Sequence, residues 1–263
     1  MTTRLAIVGG GRMGEALAGG LLSSGWAEPA ELTIVEASPT RREELAQRLV
    51  GVALSASPVA ADGVVLAVKP PDVAAACRAA VSAGVGRALS IAAGITIASL
   101  EAELGSIPVV RAMPNTPALV GAGVAAIAAG SHAGEADMAW AEGILGAVGA
   151  VVRVEESQLD AVTGLSGSGP AYVFLMVEAL IEAGEDVGLA AEVSRELVLG
   201  TLLGSARLLI ETGDTPQALR AAVTSPGGTT AAGIAVLEGA GMPRAVVDAV
   251  VAATARAAEL GRG

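Results

Sequence analysis

The sequence predicts an α/β protein: a parallel sheet covered by helices in the first half of the chain, followed by a second half that is helical throughout. Three observations carry this reading. Short β-branched or apolar runs alternate with helical patterns from Leu5 to about Val154. After Glu155 the strand signals stop, and apolar residues recur at helical spacing. The first strand also runs straight into Gly9-Gly10-Gly11-Arg12-Met13-Gly14, a G-x-G-x-x-G turn that opens a helix. The expected division is therefore a Rossmann-type dinucleotide-binding domain over residues 1–154 and a helical domain over 155–263.

Element by element, strands are expected at 5–8, 32–35, 64–68, 88–91, 109–112 and 150–154. Helices are expected between them at 13–24, 40–49, 72–81, 97–104 and 135–148. The second half should hold helices at 172–183, 191–210, 217–223, 230–237 and 244–260. There Gly213-Asp214-Thr215-Pro216 reads as a helix stop, a fresh N-cap and a first-turn proline. Gly241-Met242-Pro243 makes a similar break.

Composition narrows the function classes. With 263 residues, 52% of them apolar, the chain can fill a substantial core without staples. The single Cys77 excludes an internal disulfide or a cysteine metal cluster and suits a reducing compartment, with the cytoplasm as the expected location. Lone His132 follows Gly130-Ser131 in a polar turn and reads as an exposed loop residue, so no metal site is expected. A net charge of −11 argues against nucleic acid or an anionic membrane as partner. The apolar run at 5–8 is too short for a signal peptide or a span. The mean hydropathy of +0.62 arises from alanine and valine, with only four aromatics, and points to tightly packed helices and large subunit interfaces.

Several segments carry candidate chemistry. In the glycine turn, Gly9 makes the tight bend, Gly11 lets a pyrophosphate approach, and Gly14 permits helix–strand packing, with Gly10, Arg12 and Met13 completing the contact loop. Glu36 closes the second strand about 20 residues further on, where an acidic side chain accepts from a ribose 2′-hydroxyl, which favours NADH. Arg41 and Arg42 either hold a 2′-phosphate, as NADPH would require, or are solvated residues of the next helix. Ala67, Val68, Lys69 and Pro70 end a buried strand on the cofactor side of the sheet, and Lys69 is the only lysine beside fifteen arginines. Ala92 and Ala93 end the next strand with side chains too small to obstruct a nicotinamide ring. The segment 111–117, with two prolines, forms an active-site wall in which Met113 is assigned to the substrate and Asn115 to the cofactor.

The segment Thr224-Ser225-Pro226-Gly227-Gly228-Thr229-Thr230 places hydroxyls and glycines where an apolar helix starts. Free helix N–H groups, hydroxyls and exposed backbone suit a small carboxylate. Missing motifs matter as well. The chain has no G-x-x-x-x-G-K-[ST] loop, no G-x-S-x-G elbow and no H-x-x-x-H or C-x-x-C spacing. Hydride transfer leads the remaining reaction classes.

Together these segments resemble the pyrroline-5-carboxylate reductase family over nearly the whole chain. The carriers are GGGRMG at 9–14, AVKP at 67–70, SIAAGIT at 90–96, RAMPNTPALVGAG at 111–123, DAVTGLSGSGPAYVF at 160–174 and AAVTSPGGTTAAGIAVLE at 221–238. The resemblance implies a Rossmann domain followed by a helical dimerisation domain that interlocks between subunits, often within rings of dimers. It implies that Ser225, Gly228, Thr229 and Thr230 hold the substrate carboxylate, and that Glu156 matches a position at the substrate pocket. It further implies hydride transfer from NADPH or NADH to C5 of a cyclic imine, giving proline. A protonated imine is already a good hydride acceptor, so alignment and exclusion of water are the main demands. Thr230 is the residue expected to orient the imine and relay a proton from water.

Two rivals make different demands. β-Hydroxyacid and related imine dehydrogenases typically place a lysine on a C-terminal helix, whereas this chain has none after Lys69. A non-catalytic dinucleotide sensor would not need the 225–230 segment.

Overall fold

The computed structural model describes residues 3–261. Its first elements alternate as expected: β1 (Thr3–Val8), α1 (Arg12–Ser23), β2 (Leu32–Val35), α2 (Pro39–Arg48), β3 (Ala53–Ser55), β4 (Ala61–Leu66), α3 (Val73–Ala83), β5 (Ala88–Ser90) and α4 (Ile97–Leu104). There follow β6 (Val109–Pro114), β7 (Gly123–Ala129), α5 (Glu135–Gly146), β8 (Gly149–Arg153) and the short α6 (Leu159–Val162). The eight strands form one sheet in the order β3-β2-β1-β4-β5-β6-β7-β8, parallel throughout except where β6 meets β7. β1 pairs with β2 on one side and β4 on the other, so the chain reverses its direction of travel across the sheet at this point. Open α/β sheets bind ligands there, beyond the carboxyl ends of the strands.

Helices cover both faces of this sheet, and β1 shows why its buried stretch, Leu5 to Val8, is apolar without interruption. Leu5 and Ile7 pack with Leu17 and Leu21 of α1 in one buried cluster. Ala6 and Val8 pack with Cys77 and Ala80 of α3 in the other. Successive side chains of a strand point to opposite faces, so a strand covered twice has no polar position.

Two strands differ from the sequence reading. β3 is a three-residue edge strand paired with β2, too short to show alternation. β7 has the composition GVAAIAA, in which only Val124 and Ile127 are β-branched and alanine and glycine fill the other positions, too weak a pattern to read as a strand. It forms because β6 continues past Ala112 to Pro114 and turns back on itself, pairing Val110 with Ala129 and Pro114 with Ala125. The antiparallel return is the exception to the parallel series. His132 lies exposed in the turn after β7.

By backbone packing, the described residues up to Ser168 and those from Val251 onward form one compact unit, and Gly169–Val250 form another. The second unit contains α7 (Gly169–Asp186), α8 (Ala191–Thr212), α9 (Pro216–Ala222), α10 (Thr229–Gly239) and the start of α11 (Met242–Leu260). Thr215 caps α9 by accepting from the Ala218 N–H at 3.2 Å, and Pro216 takes the first helical position. Where α7 meets α8, a side chain on Gly184 would come within 2.5 Å of the Ser194 hydroxyl, so only glycine permits this approach.

Ser194 is the one buried residue among those described in this unit. Phe174, Leu175, Leu180, Leu203 and Val236 are all exposed, as are many other large apolar side chains on the same helices. Covering each such side chain is worth about 1.5–3 kcal/mol. The helical unit therefore requires a second surface. Size measurement in dilute buffer is expected to give a multiple of the 25.6 kDa chain mass, and Leu175→Asp with Leu180→Asp to abolish the assembly; a well-folded wild-type monomer would contradict this. In the other unit, burial, aided by the Glu103 carboxylate, pushes the Cys77 thiol up to about 11. At pH 8 only about one thiol in a thousand is then ionised, so an aromatic disulfide reagent should label Cys77 on unfolding and not in the native state.

Candidate active site

The carboxyl ends of β1, β2 and β4 open onto a cleft of about 640 Å3 whose lining includes Gly9, Gly11, Glu36, Ala67, Val68 and Lys69. The glycine turn is shaped by its neighbours. Gly9 has φ +111°, and a side chain there would sit 2.5 Å from the Ala67 carbonyl oxygen of the adjoining chain. One on Gly14 would lie 2.0 Å from the Gly9 carbonyl oxygen, whereas one on Gly11 would meet nothing within 4 Å. Two glycines thus pack the turn, and the third leaves its backbone open above the start of α1. No side chain caps that helix, which suits an anionic pyrophosphate. The cradle fits a dinucleotide.

The Gly10 peptide is held from both ends. Its N–H donates to Glu36 Oε2 at 3.0 Å, and its carbonyl accepts from Arg41 Nε at 2.8 Å. Glu36 Oε1 accepts from the Ser38 N–H at 2.9 Å. The rest of the Arg41 guanidinium pairs with Glu44 at 2.8 Å and with Glu15. Arg42 Nη1 donates to the Glu36 and Ala37 carbonyls at 2.6 and 2.9 Å. Burial opposes ionisation of Glu15, but hydrogen bonds from Arg41 and Arg48 outweigh it and hold its carboxyl below the ordinary range. Arg12 is exposed and Met13 half-buried at the start of α1.

Across the sheet, Lys69 and Pro70 are exposed after β4, Ala92 is buried and Ala93 exposed after β5. Further along, Met113 reaches Gly167, where an added side chain would meet its methyl at 2.8 Å. Gly167 ends a widened helical turn, Thr163–Gly167, in which the Ser168 N–H reaches back five residues to the Thr163 carbonyl at 2.8 Å. Four residues after Ser166 stands Pro170, which has no N–H to offer its carbonyl. Asn115 Nδ2 donates there instead, at 3.2 Å, while Asn115 Oδ1 accepts from the Val124 N–H at 2.9 Å. Both ends of this buried amide are used within the protein.

Glu156 Oε1 accepts from Arg111 Nη1 at 2.8 Å and from the Ile97 N–H, the first residue of α4, at 2.6 Å. Arg111 is 7% exposed. It was not among the residues singled out from the sequence, although a cation inside the strand Val109–Pro114 demands a buried partner. One carboxylate thus joins β6, α4 and the segment leading to α6.

In the helical unit, Ser225-Pro226-Gly227-Gly228 is a tight turn closed by the Gly228 N–H on the Ser225 carbonyl at 3.0 Å, with Gly227 at φ +72°. Proline second and a left-handed glycine third is the type II pattern. α10 starts from Gly228 with no side-chain cap, and Ser225, Thr229 and Thr230 are exposed around its first turn. The structure thus groups Gly9, Gly11, Glu36, Ala67, Val68 and Lys69 around one cleft and Ser225, Gly228, Thr229 and Thr230 around one helix start.

Comparison with known proteins decides the family. A protein from Mycobacterium tuberculosis named pyrroline-5-carboxylate reductase is 44% identical over 98% of this chain and 96% of its own. This chain belongs to the pyrroline-5-carboxylate reductase family. The profile for pyrroline-5-carboxylate reductase dimerisation matches residues 156–260, and that for NADP oxidoreductase, coenzyme F420-dependent, matches 4–94. A solved pyrroline-5-carboxylate reductase from Coxiella burnetii is 37% identical with a TM-score of 0.92, covering 99% of each chain. The Plasmodium falciparum pyrroline carboxylate reductase, solved with NADP bound, is 31% identical with a TM-score of 0.85 over 98% of each chain. As a pyrroline-5-carboxylate reductase, the chain is an NAD(P)H-dependent oxidoreductase of proline biosynthesis with a helical dimerisation domain. The helical stretch Glu156–Asp186, long and apolar enough by composition to cross a membrane, falls wholly within that dimerisation match.

The Asn115 latch gives a direct test. Asn115→Ala leaves the Val124 N–H and the Ser166 carbonyl without their partner, and thermal unfolding is expected to show a loss of about 2 kcal/mol. An unchanged Tm would mean that the latch contributes nothing to stability.

Proposed function

We propose that the chain reduces the C5=N bond of 1-pyrroline-5-carboxylate to L-proline, holding the substrate carboxylate on Ser225, Gly228, Thr229 and Thr230. The uncapped start of α10 on its glycine turn carries this reading. Free N–H groups at a helix N-terminus favour an anion, and the hydroxyls of Ser225, Thr229 and Thr230 stand exposed around them. Gly228 lies too close to Ser225 Oγ for a side chain, which keeps the backbone accessible to a small ligand.

The cofactor is assigned to the cleft at β1, β2 and β4. Gly9, Gly10, Gly11, Arg12, Met13 and Gly14 form its pyrophosphate loop, with Glu36 and Arg41 behind the loop and Ala67, Val68, Lys69 and Pro70 at the end of β4. Ala92 and Ala93 leave room for the nicotinamide ring, which supplies a hydride when bound. Met113 is assigned to the substrate and Asn115 to the cofactor side, where the observed role of Asn115 is to fix the loop after β6. Glu156 acts on the substrate pocket through its grip on Arg111 and on the start of α4.

The chain's own residues have modest chemical work to do. Thr230 orients the imine nitrogen and passes it a proton from water. The remaining turn residues fix the carboxylate, so that the electrophilic carbon is aligned and water is kept from it. The functional division is 1–154 for the cofactor and 155–263 for substrate and dimerisation, supported by the family matches at 4–94 and 156–260. Assembly of dimers into a larger ring and a cytoplasmic location complete the reading, the latter supported by the lone buried Cys77.

Thr230→Ala is expected to lower kcat/KM about 10²-fold or more and Thr230→Ser to retain most activity, as steady-state assay of nicotinamide oxidation with pyrroline-5-carboxylate will show. An alanine variant of undiminished activity would refute the assignment.

A further inference from the structure

We infer that this chain selects the dinucleotide that lacks a 2′-phosphate, NADH over NADPH, and that Glu36 is the selecting residue. The inference rests on reading the β1–β2–β4 cleft as the dinucleotide site. Glu36 directly follows β2 and lines that cleft together with Ala37. At this position of the fold an acidic side chain accepts from the ribose 2′-hydroxyl. Its carboxylate already takes the Gly10 and Ser38 N–H groups, one on each oxygen. Each oxygen still has a lone pair for a ribose hydroxyl, but neither has a proton to offer a phosphate.

The arginines that would have to receive a 2′-phosphate are engaged elsewhere. Neither Arg41 nor Arg42 lines the cleft. Arg41 spends Nε on the Gly10 carbonyl and its two terminal nitrogens on Glu44 and Glu15, and those carboxylates raise its pKa above the ordinary arginine value. Arg42 lies along the Glu36 and Ala37 carbonyls. Arg12 and Arg48 line a different cleft, between α1 and residues 118–121. Lys69, the one cation lining the cofactor cleft, stands at the far side after β4, and Asp72 shares that side with it.

To accept a 2′-phosphate, the cleft would have to bring a dianion against Glu36 or pull that carboxylate off two backbone N–H groups. Freeing Arg41 to help would leave Glu15 with Arg48 alone, strip Glu44 of its partner and release the Gly10 carbonyl. The same contacts that stiffen the glycine turn thus exclude the phosphate. The P. falciparum relative was solved with NADP bound, so this chain is inferred to depart from it in cofactor choice.

Equilibrium titration of the protein with NADH and with NADPH, followed by nicotinamide fluorescence in the absence of any imine, tests the inference. Wild type is expected to bind NADH about tenfold more tightly, equivalent to about 1.4 kcal/mol. Glu36→Gln should shrink that ratio severalfold, while Arg41→Gln should weaken both cofactors alike. Equal or tighter binding of NADPH by wild type, or an unchanged ratio in folded Glu36→Gln, would overturn it. Should Glu36→Gln fail to fold, competition by ADP-ribose against its 2′-phosphorylated form decides with wild type alone. Binding of neither dinucleotide would overturn the cleft assignment and the inference together. Selective NADH binding without reduction of pyrroline-5-carboxylate would uphold the inference and sink the reductase reading.

Discussion

The helical unit cannot bury its own apolar surface, and this constraint governs the rest of the molecule. Its long helices carry many exposed leucines and valines, yet Ser194 is the one described residue within the unit that is buried. An all-round apolar helix is stable only in an interior, and here the interior has to be supplied by a second chain. The family match at 156–260 names that interior as a dimerisation domain. The turn at 225–230 is built on these helices, so its geometry depends on an assembly that a single chain does not complete.

The sheet unit solves the opposite problem. Its strands are covered on both faces, and its polar links lie at the ends of strands, where the loops must be fixed. Three links share one logic: the Gly10 peptide between Glu36 and Arg41, the Asn115 amide between β7 and the widened turn, and Glu156 between Arg111 and α4. Each satisfies buried or half-buried donors with a side chain far away in sequence. The first two also sit just past the carboxyl ends of β1 and β6, so the loops there are shaped before any ligand arrives.

Much of this was legible in the sequence because the physics is local. A glycine turn after an apolar strand, a proline after Thr215 and a hydroxyl-rich helix start all declare themselves within a few residues. β7 did not, because alanine and glycine say nothing about extended backbone until β6 is there to pair with them. The roles of Glu36 and Arg41 were only half legible. Spacing located them near the cofactor, but only tertiary packing reveals that they hold the same peptide, 26 and 31 residues away respectively. For Asn115 a clue existed in Pro170, which strips a carbonyl four residues earlier of its donor, but nothing in the sequence says which side chain replaces it. Arg111 offered a similar clue, a cation within an apolar strand, without naming Glu156 as its partner.

Lys69 has a consequence of another kind. It is the chain's one lysine, exposed after β4 and lining the cleft assigned to the cofactor. Reagents that acylate side-chain amines therefore have a single address on this protein, and that address is the cleft itself. Nature has left the molecule with a built-in reporter: a dinucleotide seated beside β4 would shade the amine, and its coming and going could be followed as the rise and fall of one modification.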